Sequence, residues 1–207
     1  MTSREQKIID YLRPKILNKP SIVESFQKCS WDDRNGRFLV DSNVQTINFD
    51  KLTSRLVGRN RRRSADALSL ADDYVYLVEF KSGDQTKHEN KLKKLISGVT
   101  DKINKSDETV YSNIFPNVYN NEDEYLKLRF FLVVDSKEMG IDTAESILVG
   151  LSLGETTAES ERVLFEEVLP DLKSGITNPT RFDEVDVWYS ELFDQYLDLY
   201  NITDMVV

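Results

Sequence analysis

Residues 74–81 read YVYLVEFK, an apolar run rich in aromatic and β-branched side chains that closes with Glu79 and Lys81. This composition is typical of a strand buried on both faces of a sheet. Just before it, residues 64–70 read SADALSL and alternate small or apolar residues with polar ones, as a short strand would. The turn residues 71–73 join the two runs, and the sequence therefore predicts a hairpin at the centre of a sheet.

The segments on either side of this hairpin predict the remaining elements. Strands are predicted at 37–40, 44–49, 126–134 and 185–189, and helices at 4–17, 21–26, 92–103, 157–169 and 190–200. Pro14 predicts a kink or an early end in the first helix, and the polar stretch 111–124 predicts a loop. We expect an α/β fold, with a small mixed central sheet flanked by helices.

The size and composition of the chain favour one soluble domain over residues 1–207. The chain has 207 residues, of which 40% are hydrophobic, enough for one sizeable core. No apolar run approaches the ~20 residues that a membrane-spanning helix needs, and the N-terminus lacks a secretory pattern. A cytoplasmic protein without membrane association is therefore expected. Cys29 is the single cysteine, which excludes an internal disulfide and a cysteine-rich zinc site.

Positive charge is concentrated in one part of an acidic chain. The formal net charge is -9, which taken alone argues against a nucleic-acid binder. Residues 51–105, however, hold thirteen lysines and arginines against seven acids, so this stretch carries +6 and the remainder carries -15. Two interpretations stay open on charge alone, a solvated surface with chance clustering and a phosphate-binding segment.

Three ionisable residues of the predicted hairpin are expected to converge. Glu79 and Lys81 are two positions apart on one strand, so their side chains leave the same face, and the hairpin brings Asp66 beside them. Two carboxylates that close repel one another unless a cation lies between them, and oxygen ligands suit Mg²⁺ or Mn²⁺. A neighbouring ammonium can orient a water and offset transition-state charge. The chemistry that fits is metal-assisted phosphodiester hydrolysis.

Asp66, followed after a hairpin by an apolar strand ending in Glu79-Phe80-Lys81, resembles the core motif of the PD-(D/E)XK nuclease superfamily. The resemblance implies a restriction-endonuclease-like fold with a nuclease core at about 36–135, N-terminal helices and acidic C-terminal elements. It implies that Asp66, Glu79 and the backbone carbonyl of Phe80 bind the metal and that Lys81 is the catalytic lysine. It also implies a DNA substrate, as for many phage and mobile-element nucleases. Ala65 stands where the motif has a proline.

Further residues are assigned to the metal and to nucleic acid with less support from the motif. The family often has an acid on an N-terminal helix, and Glu24 is preferred over Glu5 as this accessory ligand. The helix after the motif strand often supplies a basic residue beside the site. Phosphate contacts are predicted from a basic loop and from this helix, at Arg59, Arg61, Arg62, Arg63, Lys87, Lys91 and Lys94.

A different class of protein also fits the sequence. Asp66 could be a surface acid and Glu79 with Lys81 an ordinary ion pair, in which case the chain would be a non-catalytic binding or structural protein of phage or mobile-element type that has a nuclease-like fold. The acidic C-terminal region, from Asp183 to Asp198, would then offer a surface for a protein partner. A homodimer is a further expectation for an enzyme that cuts duplex DNA.

Overall fold

The structure is a computed structural model that describes residues 2–18, 20–58, 63–82, 89–135, 166 and 168–205, without the side chains of residues 89–91. The helices are α1 (Ser3–Leu17), α2 (Phe26–Cys29), α3 (Phe49–Leu56), α4 (Glu89–Thr109), α5 (Leu169–Ser174) and α6 (Phe193–Leu199). The strands are β1 (Val23–Ser25), β2 (Trp31–Asp32), β3 (Arg37–Phe38), β4 (Gln45–Asn48), β5 (Ala67–Ala71), β6 (Tyr74–Lys81), β7 (Lys127–Val134) and β8 (Phe182–Tyr189).

Within these described ranges, six strands form one mixed sheet in the order β1-β4-β5-β6-β7-β8, and β2 with β3 forms a separate hairpin. The strands from β1 to β6 pair antiparallel, whereas β6, β7 and β8 run parallel. The predicted α/β class with a mixed sheet flanked by helices is confirmed. Parallel neighbours require a crossover connection, and α4 supplies it between β6 and β7.

Alternation along the central strands divides the core into two layers. Leu77 of β6 packs in the larger layer with residues of α1, α4 and α5, while Val78 packs in the other layer with Phe26 of α2 and Phe193 of α6. Successive side chains of a strand leave opposite faces, so Glu79, which shares a face with Leu77, belongs to the α4 side. The carboxyl end of β6 therefore presents its charges toward helix α4.

Several predicted elements differ from the observed ones. The segment 21–26 forms a short turn and β1 rather than a helix, because Val23–Ser25 pairs with β4 along the sheet edge. Helix α1 passes through Pro14 without ending there. The segment 111–124 is not a loop throughout, since it holds the helical turns Val110–Ile114, Phe115–Asn117 and Glu122–Glu124. The helix predicted at 157–169 lies almost wholly outside the described residues.

Candidate active site

The β5–β6 hairpin fixes Asp66 beside the end of β6. Its turn residues Asp72 and Asp73 have φ angles of 48° and 63°, the left-handed pair that a two-residue hairpin turn requires. Ala67 consequently pairs with Val78, and the backbone amide of Asp66 donates to the Val78 carbonyl at 3.0 Å. Oδ2 of Asp66 accepts from the backbone amide of Phe80 at 2.9 Å. This bond holds the Asp66 carboxylate next to the backbone of Glu79 and Phe80.

A lysine of the crossover helix joins the two predicted acids. Lys102 Nζ donates to Asp66 Oδ1 at 3.0 Å and to Glu79 Oε2 at 2.8 Å. Glu79 is fully buried, and the Lys102 side chain is only 17% exposed. A buried carboxylate requires a partner charge, so Lys102 stabilises the acid pair by lying between its members.

Lys81 approaches the pair from the cleft side. Its Nζ forms an ion pair with Glu79 Oε1 and donates to the backbone carbonyl of Phe80 at 3.2 Å. The two oxygens of Glu79 are therefore bound by two different ammonium groups. The Lys81 side chain is 24% exposed, so its amine can also reach solvent or a bound molecule.

Burial and neighbouring charges shift the pKa values of two groups in the site, Asp66 and Lys102. Burial and, next, the charge of Glu79 together raise the pKa of Asp66 to about 6, against the lowering effect of Lys102, Lys81 and the Phe80 amide. Burial disfavours the charged form of Lys102, but the carboxylates of Glu79 and Asp66 outweigh it and raise the pKa of this amine above its ordinary value. Lys102 is therefore charged at neutral pH.

A solvent-open cleft of about 230 Å³ lies against this cluster. Asp66, Phe80 and Lys81 form one wall, at the carboxyl end of β6. The opposite wall comes from the end of α2 and the β2–β3 hairpin, with Cys29, Ser30, Trp31, Asp32, Asp33, Arg34 and Leu39. Burial raises the pKa of the Cys29 thiol to about 12, so it is a neutral wall residue rather than a nucleophile.

The oxygen donors at this point suit a hard divalent cation. Within the described residues no group of three or more acid, histidine or cysteine side chains is assembled for a metal. Mg²⁺, however, is usually held by one or two carboxylates and keeps several waters. Asp66 and Glu79 already share one cation, the Lys102 ammonium, and the Phe80 carbonyl lies beside them as an acceptor for Lys81. The donor set fits the predicted metal, provided that Lys102 yields its position between the carboxylates.

The accessory acid and the basic residues lie in different settings. Glu24 is on strand β1, where its carboxylate accepts from Asn48 Nδ2 at 2.9 Å and forms an ion pair with Lys51. Its metal role stays a prediction. Arg63 and Lys94 are exposed, so both are accessible to phosphate. Arg59, Arg61, Arg62 and Lys87 lie outside the described residues, and of Lys91 only the backbone is described.

Lys102 is the site residue that sequence reasoning did not assign. The helix after the motif strand was expected to supply a basic residue, but the lysines chosen were those near its start. The available signal was helical spacing, because Lys102 follows Val99 by three positions and precedes Ser106 by four, and both are buried. A lysine flanked in this way on a helix points toward the core side.

Part of the acidic C-terminal region is engaged within the fold. Asp183 pairs with Arg129 at 3.1 Å and with Lys127 at 3.6 Å, and Glu184 accepts from the Tyr200 hydroxyl at 2.6 Å. Arg129 also lies 3.8 Å from the centre of the Tyr74 ring. These contacts give part of the acidic surface a structural role on strand β8.

Comparisons with protein-family models, with curated proteins and with solved structures found no significant match to this chain. Among the described helices none combines the length and the apolar character needed to cross a membrane. The residues and their geometry therefore carry the functional argument.

Proposed function

We propose that the chain is a metal-dependent nuclease that hydrolyses phosphodiester bonds in DNA. One observation carries the proposal: Asp66 and Lys81 line an open cleft, and the buried Glu79 is joined to them through its ion pairs with Lys81 and Lys102. Clusters of titratable groups with shifted pKa values in a cleft are typical of catalytic sites. The proposal includes membership of the PD-(D/E)XK superfamily, which is supported by α4 packing beside the site and by the parallel strand β7 that follows it.

The protein residues divide the work of hydrolysis between them. Asp66, Glu79 and the Phe80 carbonyl would hold Mg²⁺ or Mn²⁺, which when bound polarises a phosphoryl oxygen and acidifies a water. Lys81 donates hydrogen bonds from the cleft wall, so it orients the attacking water and offsets negative charge that develops on the phosphate. Lys102 lies between the two acids before the metal binds, and its ammonium lowers the pKa of Asp66.

Exposed basic residues on the segments that carry Asp66 and Lys102 can hold the rest of the substrate. Arg63 precedes Asp66 by three positions, and Lys94 lies on the exposed side of α4. Such side chains contact phosphates without reading base sequence. They give these segments a local positive charge, which favours DNA although the chain as a whole carries -9. The proposal therefore extends to a loop-and-helix phosphate contact around the cleft.

A second candidate function follows from Lys102 itself. Because Lys102 and Lys81 together balance the charges of Asp66 and Glu79, the cluster needs no metal and could be a structural ion-pair network. The chain would then be a non-catalytic binding protein with the same fold. The two candidates differ in one measurable property, which is whether divalent cations bind at Asp66 and Glu79.

The deciding experiment incubates the purified protein with linear, circular and single-stranded DNA and with RNA, in Mg²⁺ or Mn²⁺ and in EDTA. Asp66→Ala and Lys81→Ala should each abolish cleavage. Their matched controls are Asp101→Ala and Lys105→Ala, which remove a surface ion pair of α4 (2.8 Å) and should leave cleavage unchanged. Retention of cleavage in Asp66→Ala, or no cleavage of any substrate, would reject this active site in favour of the binding protein.

A further inference from the structure

Two large aromatic side chains are exposed together on the β2–β3 hairpin. Trp31 and Phe38 are cross-strand partners, and their ring centres lie 4.9 Å apart in an edge-to-face arrangement. Their exposed fractions are 46% and 45%. Isolated exposed apolar residues need no explanation, whereas two aromatic rings in contact form a continuous apolar surface that a planar ligand can cover. We call Trp31 and Phe38 the aromatic pair.

Trp31 of the aromatic pair lines the active-site cleft, Phe38 lines a second cleft with Arg37 and Asp135, and the hairpin that carries both rings is held in place. Trp31 lines the same cleft as Asp66 and Lys81. The hairpin is fastened to the carboxyl ends of the two central parallel strands, since Arg37 forms an ion pair with Asp135 after β7 and Asn35 donates to Ser82 after β6 at 3.4 Å. The distance between the rings and the proposed catalytic groups is thus set by the fold rather than by a free loop.

Charge on this wall decides what the rings can bind. Asp32 and Asp33 follow Trp31, and Asp33 Oδ1 accepts from the indole Nε1 at 2.7 Å, which fixes the edge of the ring. The residue as a whole remains 46% exposed. Arg34 lies on the same wall, so the two acids leave it with one net negative charge, which disfavours a phosphate but not an uncharged base. Aromatic faces bind any base by stacking, independently of sequence. The wall is thus suited to a base, and the opposite wall with Lys81 to the phosphate.

We propose that the aromatic pair stacks an unpaired nucleobase next to the phosphate that is cut, so that the substrate is single-stranded DNA or a single-stranded segment of a DNA. The inference rests on the proposed nuclease function and adds the class of substrate. Bases inside a duplex are stacked on their neighbours and cannot present a face to the rings. A single strand offers its faces without the cost of unpairing.

The tryptophan content of the chain provides a direct probe. The chain has two tryptophans, and Trp188 is 1% exposed, so an oligonucleotide can reach only Trp31. In EDTA, which prevents cleavage, single-stranded DNA should quench the fluorescence of the protein with a saturable curve. A strand of equal length with abasic sites has the same phosphates and should quench far less, as should a blunt duplex. A single-stranded RNA of the same sequence tests the preference for DNA.

Variants test the same contact by fluorescence anisotropy of labelled single-stranded DNA. Trp31→Ala and Phe38→Ala should each weaken binding by about tenfold, in line with the loss of one stacking partner. Leu199→Ala is the matched control, because this residue is 70% exposed and lies away from the cleft wall. It should bind as the unmodified protein does.

The outcomes separate this inference from the proposed function. Equal quenching by abasic and intact strands, equal or tighter binding of duplex, tighter binding of the RNA, or unchanged binding by Trp31→Ala would each overturn base stacking of single-stranded DNA. Cleavage that depends on Asp66 would survive any of those results. Conversely, base-dependent quenching in a protein that cuts nothing would uphold the aromatic pair and reject the nuclease.

Discussion

Glu5 and Glu79 are both buried glutamates, with 1% and 0% exposure, and their carboxylates are bound by different kinds of donor. Glu5 accepts from the backbone amides of Thr2 and Asp73 at 2.8 and 2.7 Å. Glu79 is bound by the side-chain ammonium groups of Lys81 and Lys102. Backbone amides are fixed by the fold, whereas a lysine on a flexible stem can be replaced by another cation. The first arrangement caps a helix, and the second can exchange its partner.

The largest effect is expected from Glu79→Gln. The amide keeps the shape but removes the negative charge, so Lys102 loses one of its two acids and the proposed metal loses a ligand. Cleavage should fall at least about a hundredfold, the scale seen when one transition-state contact is removed. Initial rates on single-stranded DNA in Mg²⁺ measure it, beside circular dichroism to show that the variant is folded. Near-normal rates would place Glu79 with Glu5 as a structural acid.

Glu5→Gln should show the reverse pattern. Its amide cannot accept from both backbone N–H groups, and the free energy of unfolding should fall by about 1–3 kcal/mol, the cost of leaving a buried polar group unpaired. Urea denaturation measures the loss. Cleavage per folded molecule should not change, because Glu5 lies on α1 and binds the β5–β6 turn, at the opposite end of β6 from Glu79.

Lys102→Met tests whether the ammonium and a metal compete. Without Lys102 the two acids repel one another, so the metal-free protein should be less stable and Mn²⁺ should bind about tenfold tighter or more. Isothermal titration calorimetry and the rise in Tm with Mn²⁺ measure the change without any substrate. Lys105→Met, on the exposed side of the same helix, is the control. Weaker Mn²⁺ binding by Lys102→Met would mean that Lys102 helps the metal to bind instead of competing with it for the two carboxylates.

Asp66 gives the site a pH dependence of defined sign. Its pKa is raised from the ordinary value of 3.8 to about 6 by burial and by Glu79, so the folded protein still holds a proton that the unfolded chain has released. The raised pKa of Asp66 therefore adds to the free energy of unfolding in full below about pH 4, and this contribution is lost as the pH rises through about 6. Asp66→Asn should remove this dependence of the free energy of unfolding on pH, which urea denaturation at several pH values measures.

The same proton opposes metal binding, so cleavage should fall about tenfold per pH unit below about 6. Glu5→Gln should keep this profile, and in Lys102→Met the midpoint should move to higher pH, since Lys102 lowers the pKa of Asp66. A rate that is flat between about pH 5 and 7 would contradict ionisation of Asp66 in the reaction.

The smallest effect belongs to Lys94→Ala, which removes one exposed lysine from the helix that carries Lys102. Loss of one phosphate contact should weaken DNA binding a few-fold and lower the slope of affinity against salt by about one unit. Anisotropy titrations at three salt concentrations measure both. Unchanged salt dependence would leave Lys94 as a solvated surface residue.

The elements that local sequence determines could be predicted, and the elements that depend on tertiary contacts could not. Strand β6 was predicted with its observed bounds, because an apolar run follows a turn of two aspartates whose left-handed backbone suits a hairpin. Strand β1 was read as a helix, since pairing with β4 overrides the local preference of Val23–Ser25. The turns at 110–124 were missed because Asn and acidic residues outweighed the spacing of Tyr111, Phe115 and Tyr119, which pack on one another.

The same limit applies to the candidate site. The hairpin acids and Lys81 follow from a turn and a strand period, so their convergence was predictable from a few adjacent residues. Lys102 lies on a helix that is placed by the packing of Leu95, Val99 and Ile103 against the sheet. Helical spacing marks Lys102 as facing the core, but no local rule states that this face of the helix meets the acids. The hairpin that carries Trp31 and Phe38 likewise depends on long-range contacts to Asp135 and Ser82.

The parallel pairing of β6 with β7 has a consequence for the order of folding. The β5–β6 hairpin closes through a two-residue turn and can form within microseconds, whereas β7 must wait for a crossover that includes the whole of α4. Asp66 and Glu79 therefore meet before Lys102 arrives, and the early hairpin carries two adjacent negative charges. We expect refolding to be slowed by that repulsion at neutral pH and to be faster in acid or in divalent salt.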